Sequence, residues 1–92
     1  PPPTPAALTA LEGVYLSNDP WYVEGLAIIA RDGVLHSVGS GALVAHGDGS
    51  WRYRDPELAA ERLWFENPVD GRPQQLNASG VLLRRTAHRQ DW

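Results

Sequence analysis

The chain has 92 residues, 42% of them hydrophobic, with a formal net charge of -3 and no cysteine. That length supports one modest core, and the mild charge gives no nucleic-acid footprint. The missing cysteines exclude disulfides, thiolate metal sites and cysteine nucleophiles, and no apolar run approaches the roughly 20 residues that span a bilayer.

The first residues, Pro1-Pro2-Pro3-Thr4-Pro5, read as an extended linker or the edge of a longer chain, and residues 1–10 are assigned to it. Within it, Thr4 is a good N-cap and Pro5 a good first helical residue, so a short helix is expected through Leu8, ended by Gly13. The barrel domain is placed at residues 11–86 and a polar tail at residues 87–92. Val14 to Ser17 is the first strand, broken by Asn18-Asp19-Pro20, after which Trp21 and Tyr22 lie in a loop.

Leu26 to Arg31 and Val34 to Val38 flank Asp32-Gly33. Asp and Gly tolerate the positive φ angles of a type I′ turn, so this is the strongest hairpin signal in the chain. Gly39-Ser40-Gly41 leads to a fourth strand, Ala42 to His46, and Gly47-Asp48-Gly49 to a fifth, Ser50 to Arg54. Asp55 as N-cap and Pro56 as first residue predict one or two helical turns. Arg62 to Glu66 alternates like a half-buried strand, and Asn67-Pro68-Val69-Asp70-Gly71 is read as a long hairpin loop. Gln74 to Asn77 and Val81 to Arg85 form the last pair, turning at Ala78-Ser79-Gly80.

About eight short strands, spaced about 8–12 residues apart, indicate an all-β fold. The expected architecture is a small antiparallel β-barrel, a lipocalin-like meander with one short helical segment. Closure is the simplest way to avoid exposed edges. An open, strongly curved sheet is the alternative.

Period-two alternation assigns faces. It sends Trp51, Tyr53, Leu63 and Phe65 inward, and Arg52, Arg54, Trp64 and Glu66 outward. Across the Asp32-Gly33 turn, Arg31 faces Val34, Ile29 faces His36 and Ala27 faces Val38, which leaves Leu26, Ile28, Ala30 and Leu35 inside. Leu43, either Tyr15 or Leu16, and then Leu76 and Leu82 complete the core. So many bulky groups fill an eight-stranded barrel. Outward, Ile29, Val34, His36 and Val38 make a hairpin face that is mostly aliphatic where polar residues are normal, so it is a candidate interface with Trp64 at its rim.

His36, His46 and His88 show no metal-ligand spacing. No serine sits in a Ser-x-x-Lys or Gly-x-Ser-x-Gly pattern. Gly47-Asp48-Gly49 is not followed by the helix that a phosphate loop requires. No catalytic, metal or cofactor-binding residue is assigned. Of the four tryptophans, Trp51 is assigned to the core, Trp21 to a loop anchor and Trp92 to the tail.

The pattern Leu11-x-Gly13-x-Tyr15, Trp21, Arg31-Asp32-Gly33-x-Leu35, Leu43, Gly49-x-Trp51-Arg52, Phe65, Gly71-Arg72-Pro73, Gly80 and Arg85 resembles a known family. It is similar to the C-terminal lipocalin-like β domain of bacterial serine hydrolases of the β-lactamase and penicillin-binding-protein type. The resemblance spans Leu11 to Arg85. It implies a non-catalytic accessory role: packing on the hydrolase catalytic domain of the same parent chain, or self-association into a homo-oligomer. It also implies a periplasmic or secreted parent protein. That family's Ser-x-x-Lys and Tyr-x-Asn motifs belong to the other domain and are absent here, so no catalytic residue carries over. The alternative from another class is a stand-alone small-ligand or carbohydrate-binding barrel, and an enzyme built from scattered Asp, His and Ser ranks third.

Overall fold

Eight antiparallel strands follow one another around a closed barrel, β1 hydrogen-bonded to both β2 and β8. The computed structural model describes residues 5–17, 25–58 and 60–86. The expected cap at Thr4, the loop carrying Trp21 and Tyr22, and the tail with His88 and Trp92 lie outside the described residues. A helix, α1 (Pro5–Leu11), precedes β1 (Gly13–Ser17), β2 (Gly25–Arg31), β3 (Val34–Ser37), β4 (Gly41–Ala45) and β5 (Trp51–Tyr53). A 3-10 turn (Pro56–Leu58) then leads to β6 (Leu63–Val69), β7 (Arg72–Ala78) and β8 (Val81–Arg85). No described helix is long and apolar enough to cross a membrane.

Turn chemistry sets the register. Asp32 (φ 52°) and Gly33 (φ 75°) both occupy the left-handed region, as a type I′ turn demands. The ladder beside them pairs Arg31 with Val34, Ala30 with Leu35 and Ile29 with His36, as alternation predicts. The long loop expected from Asn67 to Gly71 does not form. The strands instead run up to a second tight turn, Asp70 (φ 52°) and Gly71 (φ 78°), with Pro68 opposite Pro73. Asn67 accommodates this by taking φ 54°, a conformation Asn tolerates better than most residues. At the 3-10 turn, the Glu57 amide donates to Asp55 Oδ1 at 2.9 Å, the capping role expected of Asp55.

The core is a leucine-lined interior: Ile28, Leu35, Leu43, Leu63, Leu76 and Leu83, with Tyr15. Tyr15 takes the inward position and Leu16 does not, because Tyr15 pairs with inward Leu26. Leu82 is a correction. The Ser79-Gly80 turn pairs Ala78 with Val81, which puts Leu83 beside Leu76 inside and leaves Leu82 outside at 54% exposure. Two adjacent leucines look alike to an alternation argument until the turn fixes the frame. Phe65 sits between Tyr15 and Trp51, edge-on to both, with ring centroids 5.9 and 6.4 Å apart. Such contacts add about 0.5–1.5 kcal/mol each beyond area burial.

Both barrel ends carry a short helical segment. Leu58 joins Leu26, Tyr53, Leu63 and Ala78 at one mouth. At the other, α1 contacts β2 and β7 and inserts Leu8, which is 3% exposed within the core cluster. The helix therefore crosses the boundary drawn at residue 10 and contributes to the barrel's packing. Glu12, between helix and barrel, receives the Ala30 amide on Oε2 at 2.8 Å. That bond satisfies a backbone donor near the β2 end.

Candidate functional site

The register carries the hairpin face onto β4 and β5. Ile29 pairs with His36 and His36 with Ala42. Leu35 pairs with inward Leu43, so Val34 and Val44 are outward neighbours, and Val44 pairs with Arg52. The Val38 amide donates to Ala27 O at 2.9 Å, which aligns those two side chains at the face's other end. The result is a continuous outer wall: Ala27 and Val38, then Ile29, His36 and Ala42, then Val34 and Val44. Val38 is 50% exposed and Val44 40%.

Four of the five candidate interface residues, Ile29, Val34, His36 and Val38, are thus brought together on this wall. Trp64 is not with them. It lies on β6 opposite Asn77, with β5 between it and the aliphatic stretch, and its ring rests against Gly49, where a Cβ would come within 3.3 Å. Sequence reasoning passed over Ala42 and Val44, although inward Leu43 between them was a sufficient signal.

Cations border the wall. Arg31 lies opposite Val34, Arg52 opposite Val44, and the Arg54 amide donates to Ala42 O at 2.9 Å. The Nε of Arg52 is buried without a hydrogen-bond partner. Neither helical segment lies over this wall among the described residues: α1 sits at one mouth and the 3-10 turn beside β5.

An open cleft of about 540 Å³ lies at the rim near α1, lined by Leu8, Leu35, Leu43, Val44, Trp51 and Arg54 among others. Of the three packed aromatics Trp51 lines it, and Phe65 and Tyr15 do not.

The loop after β4 holds one residue of each type used in hydrolytic triads, and their bonding assigns them to the backbone. Ser50 Oγ donates to Asp48 Oδ1 at 2.6 Å, and the Ser50 amide donates to the same oxygen at 2.9 Å. These two donors hold the Asp48 carboxyl below its ordinary pKa. His46 enters through its backbone, its amide donating to Ser50 O at 3.0 Å. The serine proton is therefore committed to a carboxylate in a turn, and a nucleophile needs a base free to accept it. Among the described residues no three His, Cys, Asp or Glu side chains gather as a metal site. Compared with known proteins, the chain matches no family model, no curated protein and no solved structure.

Proposed function

We propose that this chain is a non-catalytic accessory domain that packs its β2–β4 wall against the catalytic domain of a β-lactamase-like serine hydrolase. One observation carries the reading. The outer wall is mostly aliphatic, with Val38 and Val44 exposed and Ile29, Val34 and His36 half-buried, on a barrel whose inner face is already a complete core. A sheet apolar on both faces needs a cover on the second. Arg31, Arg52 and Arg54 bordering it ask for carboxylates on the partner's rim, and pairing such charges sets register and encounter rate more than affinity. The choice of a hydrolase as partner rests on the sequence resemblance.

Two measurements test it. In the parent reading frame, Ser-x-x-Lys followed by Tyr-x-Asn upstream of this domain supports the reading, and a frame without them overturns the choice of partner. In sedimentation, the double variant Ile29→Glu, Val38→Glu is expected to stay folded and to lose docking onto that catalytic domain. Docking as tight as wild type, or unfolding of the variant, removes the wall as an interface. If the wild-type chain binds only itself, and the double variant is monomeric, the partner is a second copy.

The rim cleft favours a second reading, a small-ligand-binding barrel. Its aliphatic lining, with Trp51 below and Arg54 as a single cation, suits a ligand with an apolar body and one negative group. Anilinonaphthalene sulfonate is a suitable probe. Its fluorescence should rise with the wild-type chain and stay flat with Ala45→Trp, which fills the cleft. Equal enhancement in both excludes this cleft.

A further inference from the structure

The outer face of β6–β8 carries a cluster that neither the core nor the β2–β4 wall explains. Phe65, Leu76 and Leu83 belong to the interior, so Trp64, Glu66, Gln75, Asn77, Leu82 and Arg84 alternate with them on the outside. The ladder sets these six in two adjoining rows. Trp64 pairs with Asn77 and Asn77 with Leu82; Glu66 pairs with Gln75 and Gln75 with Arg84. Leu82 and Arg84 are exposed and the other four half-buried. The six-membered ring of Trp64 rests on the bare backbone of Gly49, which holds φ 95°.

Two of the polar groups are already oriented. A carboxylate only accepts, so Gln75 turns its Nε2 to Glu66 Oε1, at 2.7 Å. A backbone N–H only donates, so Asn77 turns its Oδ1 to the Gly80 amide, at 2.8 Å. That leaves Gln75 Oε1, Glu66 Oε2, the Asn77 amino group and the Arg84 guanidinium without partners among the described residues. Two acceptors and two donors thus stand beside an indole, with the exposed Leu82 at the far side of Asn77. Neighbouring strands lie about 4.8 Å apart and alternate residues about 7 Å apart along a strand. A six-membered ring seated on Trp64 therefore has Glu66, Gln75 and Asn77 within reach of its rim.

We propose that this face binds a neutral saccharide, a hexose unit of a β-linked glycan, stacked on Trp64 with its hydroxyls on Glu66, Gln75 and Asn77. A hexopyranose with equatorial hydroxyls is amphipathic in the way this face is. Its axial C–H groups form an apolar face, which the negative face of an indole attracts. Each rim hydroxyl both donates and accepts, so a mixed set of fixed donors and acceptors suits it. The Glu66 carboxylate selects against phosphate-bearing rings, because juxtaposed like charges are costly. The inference is independent of the docking reading, which concerns β2–β4.

The test is a titration of the full ¹⁵N-labelled chain with cellotriose and with triacetylchitotriose, following the Trp64 Nε1–H and the Gln75 and Asn77 side-chain amides. Glycerol at matched hydroxyl concentration is the control, and adenosine monophosphate is the competing stacker. Saturable shifts of all three groups are expected with at least one saccharide and none with glycerol. The tighter saccharide shows whether an acetamido group is read. Trp64→Ala should weaken binding by about tenfold or more, the scale of truncating a stacking aromatic. Gln75→Ala should weaken it about threefold, the loss of one hydrogen bond. Trp64→Phe, which keeps a smaller ring and carries the test if Trp64→Ala does not fold, should lose about two- to fivefold, part of the stacking. No saturable shift with either saccharide, an equal shift with glycerol, tighter binding of adenosine monophosphate, or unchanged binding in the Trp64 variants each overturns the proposal.

Discussion

Seen from the core, the β2–β4 wall and the β6–β8 wall are built alike. Ile28, Leu35 and Leu43 line one, and Leu63, Leu76 and Leu83 the other, all nearly or fully buried. Their outer surfaces differ. On β6–β8 the outward side is mixed: Trp64 and Leu82 flank Asn77, Glu66 and Gln75 are hydrogen-bonded to each other at 2.7 Å, Asn77 Oδ1 accepts the Gly80 amide at 2.8 Å, and Arg84 is exposed. On β2–β4 the same positions hold Ile29, Ala42, Val34 and Val44, with His36 among them. One barrel thus lines both inner walls with aliphatic residues and treats its exterior in two ways. Folding alone requires only the first, and the proposed docking would give the second a use.

The comparison can be broken from the inside. If the two walls contribute equally to the core, Leu35→Ala and Leu76→Ala should each cost about 2–5 kcal/mol in urea-induced unfolding. Both residues are 1% exposed or less. A loss under about 1 kcal/mol at either site, well below the range for such truncations, would mean that one wall is loosely packed and that the interiors are not equivalent.

A smaller effect belongs to the loop between β4 and β5, next to the aliphatic wall. Donation from Ser50 lowers the Asp48 pKa in the folded state, so the unfolded chain binds the proton more readily. The resulting stability is fully present above the ordinary carboxylate value of about 3.9 and is lost as pH falls through the lower folded value. Asp48→Asn should therefore melt below wild type at neutral pH, with the gap closing in acid. A gap that is constant from pH 7 to strongly acid solution would show that the carboxylate's charge is irrelevant to the loop.

The smallest effect concerns an inward serine of the aliphatic wall. Ser37 is 1% exposed and its Oγ has no hydrogen-bond partner. An unsatisfied buried hydroxyl costs more than a methyl group of similar size. Ser37→Ala should raise stability by about 1 kcal/mol, the low end of that penalty. A destabilised variant would reveal a partner for that hydroxyl and add a polar requirement to a wall that otherwise has none inside.

Local chemistry made much of this legible. Asp32-Gly33 determined the first hairpin because a two-residue I′ turn leaves one register, and that register placed Ile29, Val34, His36 and Val38 together. The same dipeptide at Asp70-Gly71 was obscured by Asn67-Pro68, which resembles a strand breaker. Only the ladder, with Pro68 opposite Pro73, shows the strands continuing past it. Trp64, expected at the rim of the wall, lies one strand beyond its aliphatic stretch, because its distance from β3 depends on strand order around the ring, not on alternation within a strand. The seat of Arg85 against Gly13 was illegible for the same reason. It needs β8 beside β1, and Gly13 gives no hint that the group it accommodates is a guanidinium from the far end of the sequence.

That last pairing gives the ring no beginning. Tyr15 pairs with Arg85, and the Thr86 amide donates to Val14 O at 2.8 Å, so the first and last strands are joined by the same kind of ladder as any other two. Sequence order and spatial order coincide all the way round. The seam between the chain's two ends is then a matter of covalent bookkeeping. A circular permutant that joins residue 86 to α1 through a short linker and opens between Asp70 and Gly71 would ask the same side chains to meet in the same places.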